Sequence, residues 1–314
     1  MKPVRPAELI PAVKPSVRSG ISRRSLLLAG AGLVTLSGPA VAGYSGAEAA
    51  MMLGVTHYRL TPRGWPSGLK LSITAIADIH AGGPNMGLAR IREIVETANG
   101  LQSDIVLLLG DYVATHRFVT EVVPPEVWSA ELSRLKAPLG VHAILGNHDW
   151  WFHQRQIRQA LAQAKIPVME NTAILLGEGQ SKFWLAGLGD QIAHFISPGN
   201  FRGIDDLPGT MAQIRTDDPV LLMAHEPDIF VEVPDRVSLT LAGHTHGGQI
   251  RIPLIWERFV PSSYGARFAY GHISEGGRDM IVSGGLGTSG IPMRLGVPPE
   301  IVRIDLGGDP VPMV

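Results

Sequence analysis

The 314-residue chain contains no cysteine. That absence excludes disulfides, thiolate metal ligands, a cysteine nucleophile and a lipid-modified cysteine anchor together. Any metal site must use His, Asp, Glu or Asn, a ligand set that suits Zn, Mn or Fe rather than soft-metal chemistry. Internal repeats, low-complexity tracts and long runs of like charge are also missing. No G-x-G-x-x-G turn follows the first buried-type strand, since "DIHAGGPNMG" has its glycines at other spacings. A nicotinamide-dependent oxidoreductase on a doubly wound sheet is therefore set aside.

With 45% hydrophobic and 18% charged residues, the chain has an ordinary globular composition, and its length suits one to two domains. The formal charge of -1 conceals an uneven distribution. Residues 1–42 carry six bases and one acid, a net of +5, which leaves -6 for the remainder. A surface of that sign gives no electrostatic footprint for nucleic acid, so no specific nucleic-acid partner is expected.

The stretch "SRRSLLLAGAGLVTLSGPAVAG" pairs Arg23 with Arg24, continues in an apolar run from Leu26 to Ala42, and closes on Ala40-Val41-Ala42. It resembles a twin-arginine export signal, which implies the twin-arginine machinery as a partner and a periplasmic or extracytoplasmic location. Gly30, Gly32, Gly38 and Pro39 interrupt the run, which falls short of a full membrane span. Retention as an N-terminal anchor, with peripheral membrane contact, is the alternative. A second small-residue pattern, Ala47-Glu48-Ala49, leaves two positions for the cut. Residues 1–42 thus read as signal, 43–52 as spacer and 53–314 as one folded domain.

Within that domain, short apolar stretches recur and each gives way to polar residues: "LKLSITAIADIH", "DIVLLLGDYV", "VHAILGNHD", "VLLMAHEPD", "LTLAGHTHGG" and "DMIVSGGLG". Runs such as "IVLLL" do not alternate, as expected of strands buried on both faces. In "GLARIREIVETANG", residues Leu88, Ile91, Ile94, Val95 and Ala98 share one helical face, and Asn99-Gly100 supplies a stop. A second helical pattern covers His153 to Ala164. Strand, helix, strand at this spacing predicts an α/β fold opening on a mainly parallel sheet, and the strand-rich later half suits a second sheet.

Asp78, His80, Asp111, Asn147, His148, His225, His244 and His246 all stand where an apolar strand gives out. Ligands of open α/β sheets bind at the carboxyl ends of strands, so these residues would converge on one rim. The blocks "DIH", "GDY", "GNHD", "AHEPD" and "GHTHGG", in that order, resemble the calcineurin-like metallophosphoesterase superfamily, which includes the purple acid phosphatases. The resemblance runs from near Leu71 to the C-terminus. "GGLGTSGIPMRLGVPPEIVRIDL" and "GHTHGGQIRIP" resemble its branch of bacterial exported or membrane-associated phosphodiesterases, some acting on lipid-linked substrates.

The resemblance implies a four-layer αββα sandwich with two mixed sheets, and a dinuclear centre of Mn, Fe or Zn. Asp78, His80 and His246 would bind one ion, Asn147, His225 and His244 the other, and Asp111 would bridge them. It further implies attack on phosphorus by metal-activated hydroxide, with His148 as general acid and Asp149 orienting and charging that imidazole. The implied substrate is a small phosphodiester or a lipid-linked phosphate, and the implied enzyme a monomer. A nucleotide-linked lipid pyrophosphate hydrolase, a phosphomonoesterase, and a metal-binding protein without catalysis are the competing readings. Gly243, Gly247 and Gly248 would let the backbone bend closely around the site. Trp150, Trp151 and Phe152 read as core packing before substrate wall, and Arg294 as either a phosphate contact or an exposed salt bridge. His57, His116, His142, His153, His194 and His272 read as ordinary.

Overall fold

The computed structural model describes residues 43–115 and 118–308. The chain divides after Ala42, and the expected signal segment, 1–42, lies outside the described residues, as does His116.

Residues 43–51 are helical (α1). Strand β1 (Gly54–Leu60) alternates half-buried with exposed positions, the pattern of an edge strand covered on one face. Next come β2 (Leu71–Ile76), α2 (Leu88–Gly100), β3 (Ile105–Leu108), α3 (Pro125–Leu132), β4 (Val141–Ala143) and α4 (Asn147–Gln163). Helix α2 buries Ile91, Ile94, Val95 and Ala98, the stripe set by its periodicity. Helix α4 starts at Asn147 rather than at His153 as expected from the pattern. His153 itself leaves helical geometry (φ -150°, ψ 75°), so the first turns form a separate piece capped at Gly146.

The later half adds β5 (Thr172–Leu176), β6 (Phe183–Gly187), a hairpin of β7 (His194–Ser197) and β8 (Asn200–Arg202), and the short helix α5 (Leu207–Met211). It continues through β9 (Val220–Met223), β10 (Leu239–Ala242), β11 (Gly271–Glu275), β12 (Arg278–Val282) and β13 (Glu300–Leu306). The strands build one sheet in the order β1-β13-β2-β3-β4 and another in the order β11-β12-β10-β9-β6-β5. Within the first, β2, β3 and β4 run parallel and β13 opposes β2. Within the second, β6, β9, β10 and β12 run parallel, with β5 and β11 reversed at the edges.

The period of two sorts each central strand between two cores. Ile105 and Leu107 face Leu221, Met223 and Leu241 between the sheets. Val106 and Leu108 pack outward against Ile91, Ile94, Trp128, Ile157 and Leu161 of the helices. Leu222, Met280 and Val282 meet Phe230 and Phe268 beyond the second sheet. Burial on both faces explains the unbroken apolar runs, at about 1.5–3 kcal/mol per large side chain removed from water. The result is the four-layer sandwich of mixed sheets.

Residues 43–52 are not a spacer. Ser45, Glu48 and Ala49 are buried, and Glu48 accepts the N–H groups of Gly296 and Val297.

Candidate metal centre

Parallel strands bring the polar residues to one end of both sheets. Asp78 and His80 follow β2, Asp111 follows β3, Asn147 opens α4 after β4, His225 follows β9, and His244 and His246 follow β10. Ten non-glycine residues among those described have positive φ, and five are Asp78, His80, Asp111, His244 and His246. This left-handed region costs an ordinary L-residue roughly 1–2 kcal/mol. Its concentration here marks a backbone bent to aim side chains at a common point.

The ring nitrogens and carboxylate oxygens of Asp78, His80 and His246 lie within 4.8 Å of one another; so do those of His80, Asp111 and His148, and of Asp111, His225 and His244. Asp111 Oδ2 lies 3.5 Å from His80 Nε2 and 3.2 Å from His225 Nε2. Asp78 Oδ1 lies 3.7 Å from His246 Nε2. Asn147 Oδ1 sits 3.0 Å from His244 Nδ1. Two backbone carbonyls fix tautomers: His80 Nδ1–H donates to Val113 O (3.0 Å) and His225 Nδ1–H to Leu109 O (2.6 Å). The Nε2 atoms of both rings are thereby turned inward toward carboxylate oxygens. His225 Nε2 is buried without a hydrogen-bond partner. Acceptor facing acceptor is repulsive unless a cation stands among them, and His, Asp and Asn donors fit such a cation.

The electrostatics agree. Burial lowers His80 to about 3 and pulls His244 and His246 below the usual histidine value, keeping these rings neutral. Burial also lowers His225, but the adjoining Asp111 carboxylate outweighs it and raises that ring well above its ordinary value. Burial pushes Asp78 up to about 7. Three neutral imidazoles thus offer lone pairs, while His225 holds a proton beside Asp111, the positive charge that a metal ion would replace there.

Residues 71–248 match the calcineurin-like phosphoesterase family. An uncharacterized metallophosphoesterase of Aquifex aeolicus is 28% identical over 268 residues, covering 82% of this chain and 92% of its own length. The uncharacterized metallophosphoesterase YkuE of Bacillus subtilis is 30% identical over 254 residues, covering 79% and 82%. The phosphodiesterase YaeI of Escherichia coli is 30% identical over 238 residues, covering 74% and 81%. The chain belongs to the calcineurin-like phosphoesterases.

In this metal-dependent phosphoesterase, the seven expected ligands come together. Asp149 does not act as expected. Its oxygens accept the N–H groups of Asp111 (2.9 Å), Tyr112 (2.8 Å) and Gly146 (3.0 Å), and it makes no hydrogen bond to His148. Burial, then the Asp111 carboxylate, pushes Asp149 up to about 7, against the pull of the Gly146 and Tyr112 donors. Every partner is a donor, so the pocket is shaped for the anion. Asp149 stitches the two ligand loops together, and His148 is held instead by Thr115 at Nδ1, by Ser289 at 3.4 Å from Nε2, and by its own N–H on Asp111 Oδ1 (2.9 Å). Thr115 and Ser289 carry no local sequence signal, because their contacts span 33 and 141 positions.

Close approach governs two glycines of the phosphoesterase. A Cβ on Gly146 would overlap Asp111 Oδ1 and His225 Nε2, and one on Gly243 would lie 2.6 Å from Asp78 Oδ2. The aromatic trio divides: Trp150 packs partly buried against the helical core, Phe152 is exposed, and Trp151 borders a cavity of about 1100 Å³. Asn147, His148, His244 and His246 line the same cavity. Arg294 is fully buried and reaches no solvent-facing acid. His57 and His272 pair with Asp305 and Asp279, away from the site.

Proposed function

We propose that this phosphoesterase hydrolyses phosphodiesters, with His148 delivering a proton to the departing alkoxide. The observation that carries the reading is Asp111, one buried carboxylate common to two ligand clusters at the edge of a large cavity. Asp78, His80 and His246 would hold one ion and Asn147, His225 and His244 a second, with Asp111 between them; these donors suit Mn, Fe or Zn. Such a pair supplies Lewis acidity toward phosphoryl oxygens and lowers the pKa of water at the site.

The chain's own residues do the rest. His148 borders the cavity, and its contacts to Thr115 and Ser289 fix the ring plane. Burial lowers its pKa, which makes the imidazolium a readier donor toward a leaving oxygen. Trp151, Phe201, Ile252 and Phe259 give the cavity an apolar wall suited to the organic group of an ester and hostile to bulk water. The volume far exceeds what a bare phosphate fills, and a relative named as a phosphodiesterase supports a diester. Comparing kcat/KM on bis-p-nitrophenyl phosphate and p-nitrophenyl phosphate tests this: the diester is expected to be the better substrate, and a better monoester contradicts it.

Residues 1–42 serve, in the same reading, as an export signal, supported by Arg23-Arg24 and the Ala40-Val41-Ala42 pattern. Mass measurement of the N-terminus of protein recovered outside the cytoplasm tests it, and an intact residue 1 there argues for a retained anchor.

A further inference from the structure

Arg294 lies at the bottom of the centre rather than in its mouth. Its Nε and Nη2 donate to Gly287 O (2.9 and 2.6 Å), and Nη1 donates to Gly284 O (2.9 Å) and Val297 O (3.0 Å). Nη2 also stands 3.2 Å from His246 Nδ1. A guanidinium has five N–H groups; four go to loop carbonyls and the fifth lies against the His246 ring, leaving none for a phosphate. The carbonyls belong to the loop between β12 and β13. That loop also grips the strand end that carries Asp78: Leu286 N–H donates to Ala77 O (3.1 Å) and Gly287 N–H to Asp78 O (2.6 Å).

The loop is tied from behind by α1. Arg294 N–H donates to Ser45 O (3.0 Å), while Glu48 takes the N–H groups of Gly296 (3.1 Å) and Val297 (2.9 Å). Glu48 is 1% exposed, so neither bond is shared with water. A continuous set of bonds therefore runs from α1 through residues 294–297 and the guanidinium to the His246 ring, across some 200 positions of sequence separation.

We propose that Arg294 is a positioning residue for the Asp78–His80–His246 half of the metal centre, and that Ser45 and Glu48 complete that half-site by fixing the loop that carries it. The inference rests on the metal-centre reading above. It also requires that any maturation of the precursor leave residues 45–48 in place, which rules out a cut after Ala49. The fork shape matters, because an ammonium cannot span three carbonyls and an imidazole at once.

The test uses full-length protein stripped with a chelator and titrated with Mn²⁺, with metal content checked by mass spectrometry. Wild type is expected to take two equivalents. R294M and R294K are expected to weaken one equivalent by about 10–100-fold, the usual effect of removing a group that orients a ligand, and E48Q to weaken the same equivalent less. Cobalt-loaded R294M should show a changed visible band for that one ion, a readout that loss of general stability would not select. Two equivalents at wild-type affinity in R294M, or equal weakening of both, overturns the proposal. If R294M does not fold, R294K and E48Q decide, and wild-type binding in both overturns it. A wild type that takes up no metal defeats the underlying reading instead, so the two failures are told apart.

Discussion

Replacing Asp149 by Asn removes one charge and one acceptor from a buried carboxylate whose three partners are backbone N–H groups. Each hydrogen bond to a charged group is worth about 1.5–3 kcal/mol, and a neutral one about half of that. If the amide oxygen takes the Oδ2 position, the bonds to Asp111 and Gly146 persist in weakened form. The amide nitrogen then confronts the Tyr112 N–H, donor against donor, and leaves that group unsatisfied at about 1–3 kcal/mol. The total comes to roughly 4 kcal/mol. For a chain of this size that corresponds to a fall in Tm of roughly 10 °C. Calorimetry on chelator-treated protein measures it free of any metal contribution, and titration with Mn²⁺ then reports the state of the ligand loops. A shift below about 2 °C with two ions still bound would mean that Asp149 does not hold these loops, and the reasoning fails.

Asp111→Asn removes the negative charge that the two ions would share; metal content should fall from two ions to one or none, with activity lost, and full activity would refute the bridging role. His148→Gln should keep both ions while kcat falls by about 10²–10⁴ on an alkyl ester, with a smaller loss on a p-nitrophenyl ester that needs no proton; equal losses on both would remove His148 as the acid. Burial pushes Asp305 up, but its bonds to His57 and Arg303 outweigh this and hold it below the usual carboxylate value. A carboxylate lowered by folding stabilises fully above its unfolded pKa of about 3.9 and loses that contribution as pH falls through the folded value. The Tm gap between wild type and Asp305→Asn should therefore be largest at neutral pH and close on acidification; a gap that widens in acid contradicts this.

The rim positions of the candidate ligands are legible because each follows a buried strand, so an apolar run ending in Asp or His already locates the rim; their grouping around two ions comes from the family resemblance. Asp78, His80, His225, His244 and His246 show this directly. Their backbone was not legible: positive φ at five ligand positions has no cue in residue type for histidine, and only the folded loops impose it. The role of Asp149 is hidden from the sequence for a related reason. The resemblance implies a partnership with His148, whereas the donors that claim its carboxylate come largely from a loop 37 and 38 positions away. Residues 43–52 looked like a spacer because their small side chains carry little hydrophobic signal, and their partners stand about 250 positions further on. The start of α4 was obscured by the break at His153, which interrupts the periodicity before the ligand turn is reached.

Anomalous diffraction from crystals of the manganese-loaded protein tests the central claim most directly. Two peaks are expected at the strand-end rim, one among Asp78, His80 and His246, the other among Asn147, His225 and His244, with Asp111 touching both. A single peak, or manganese held elsewhere while these side chains stay in contact with one another, would contradict the account.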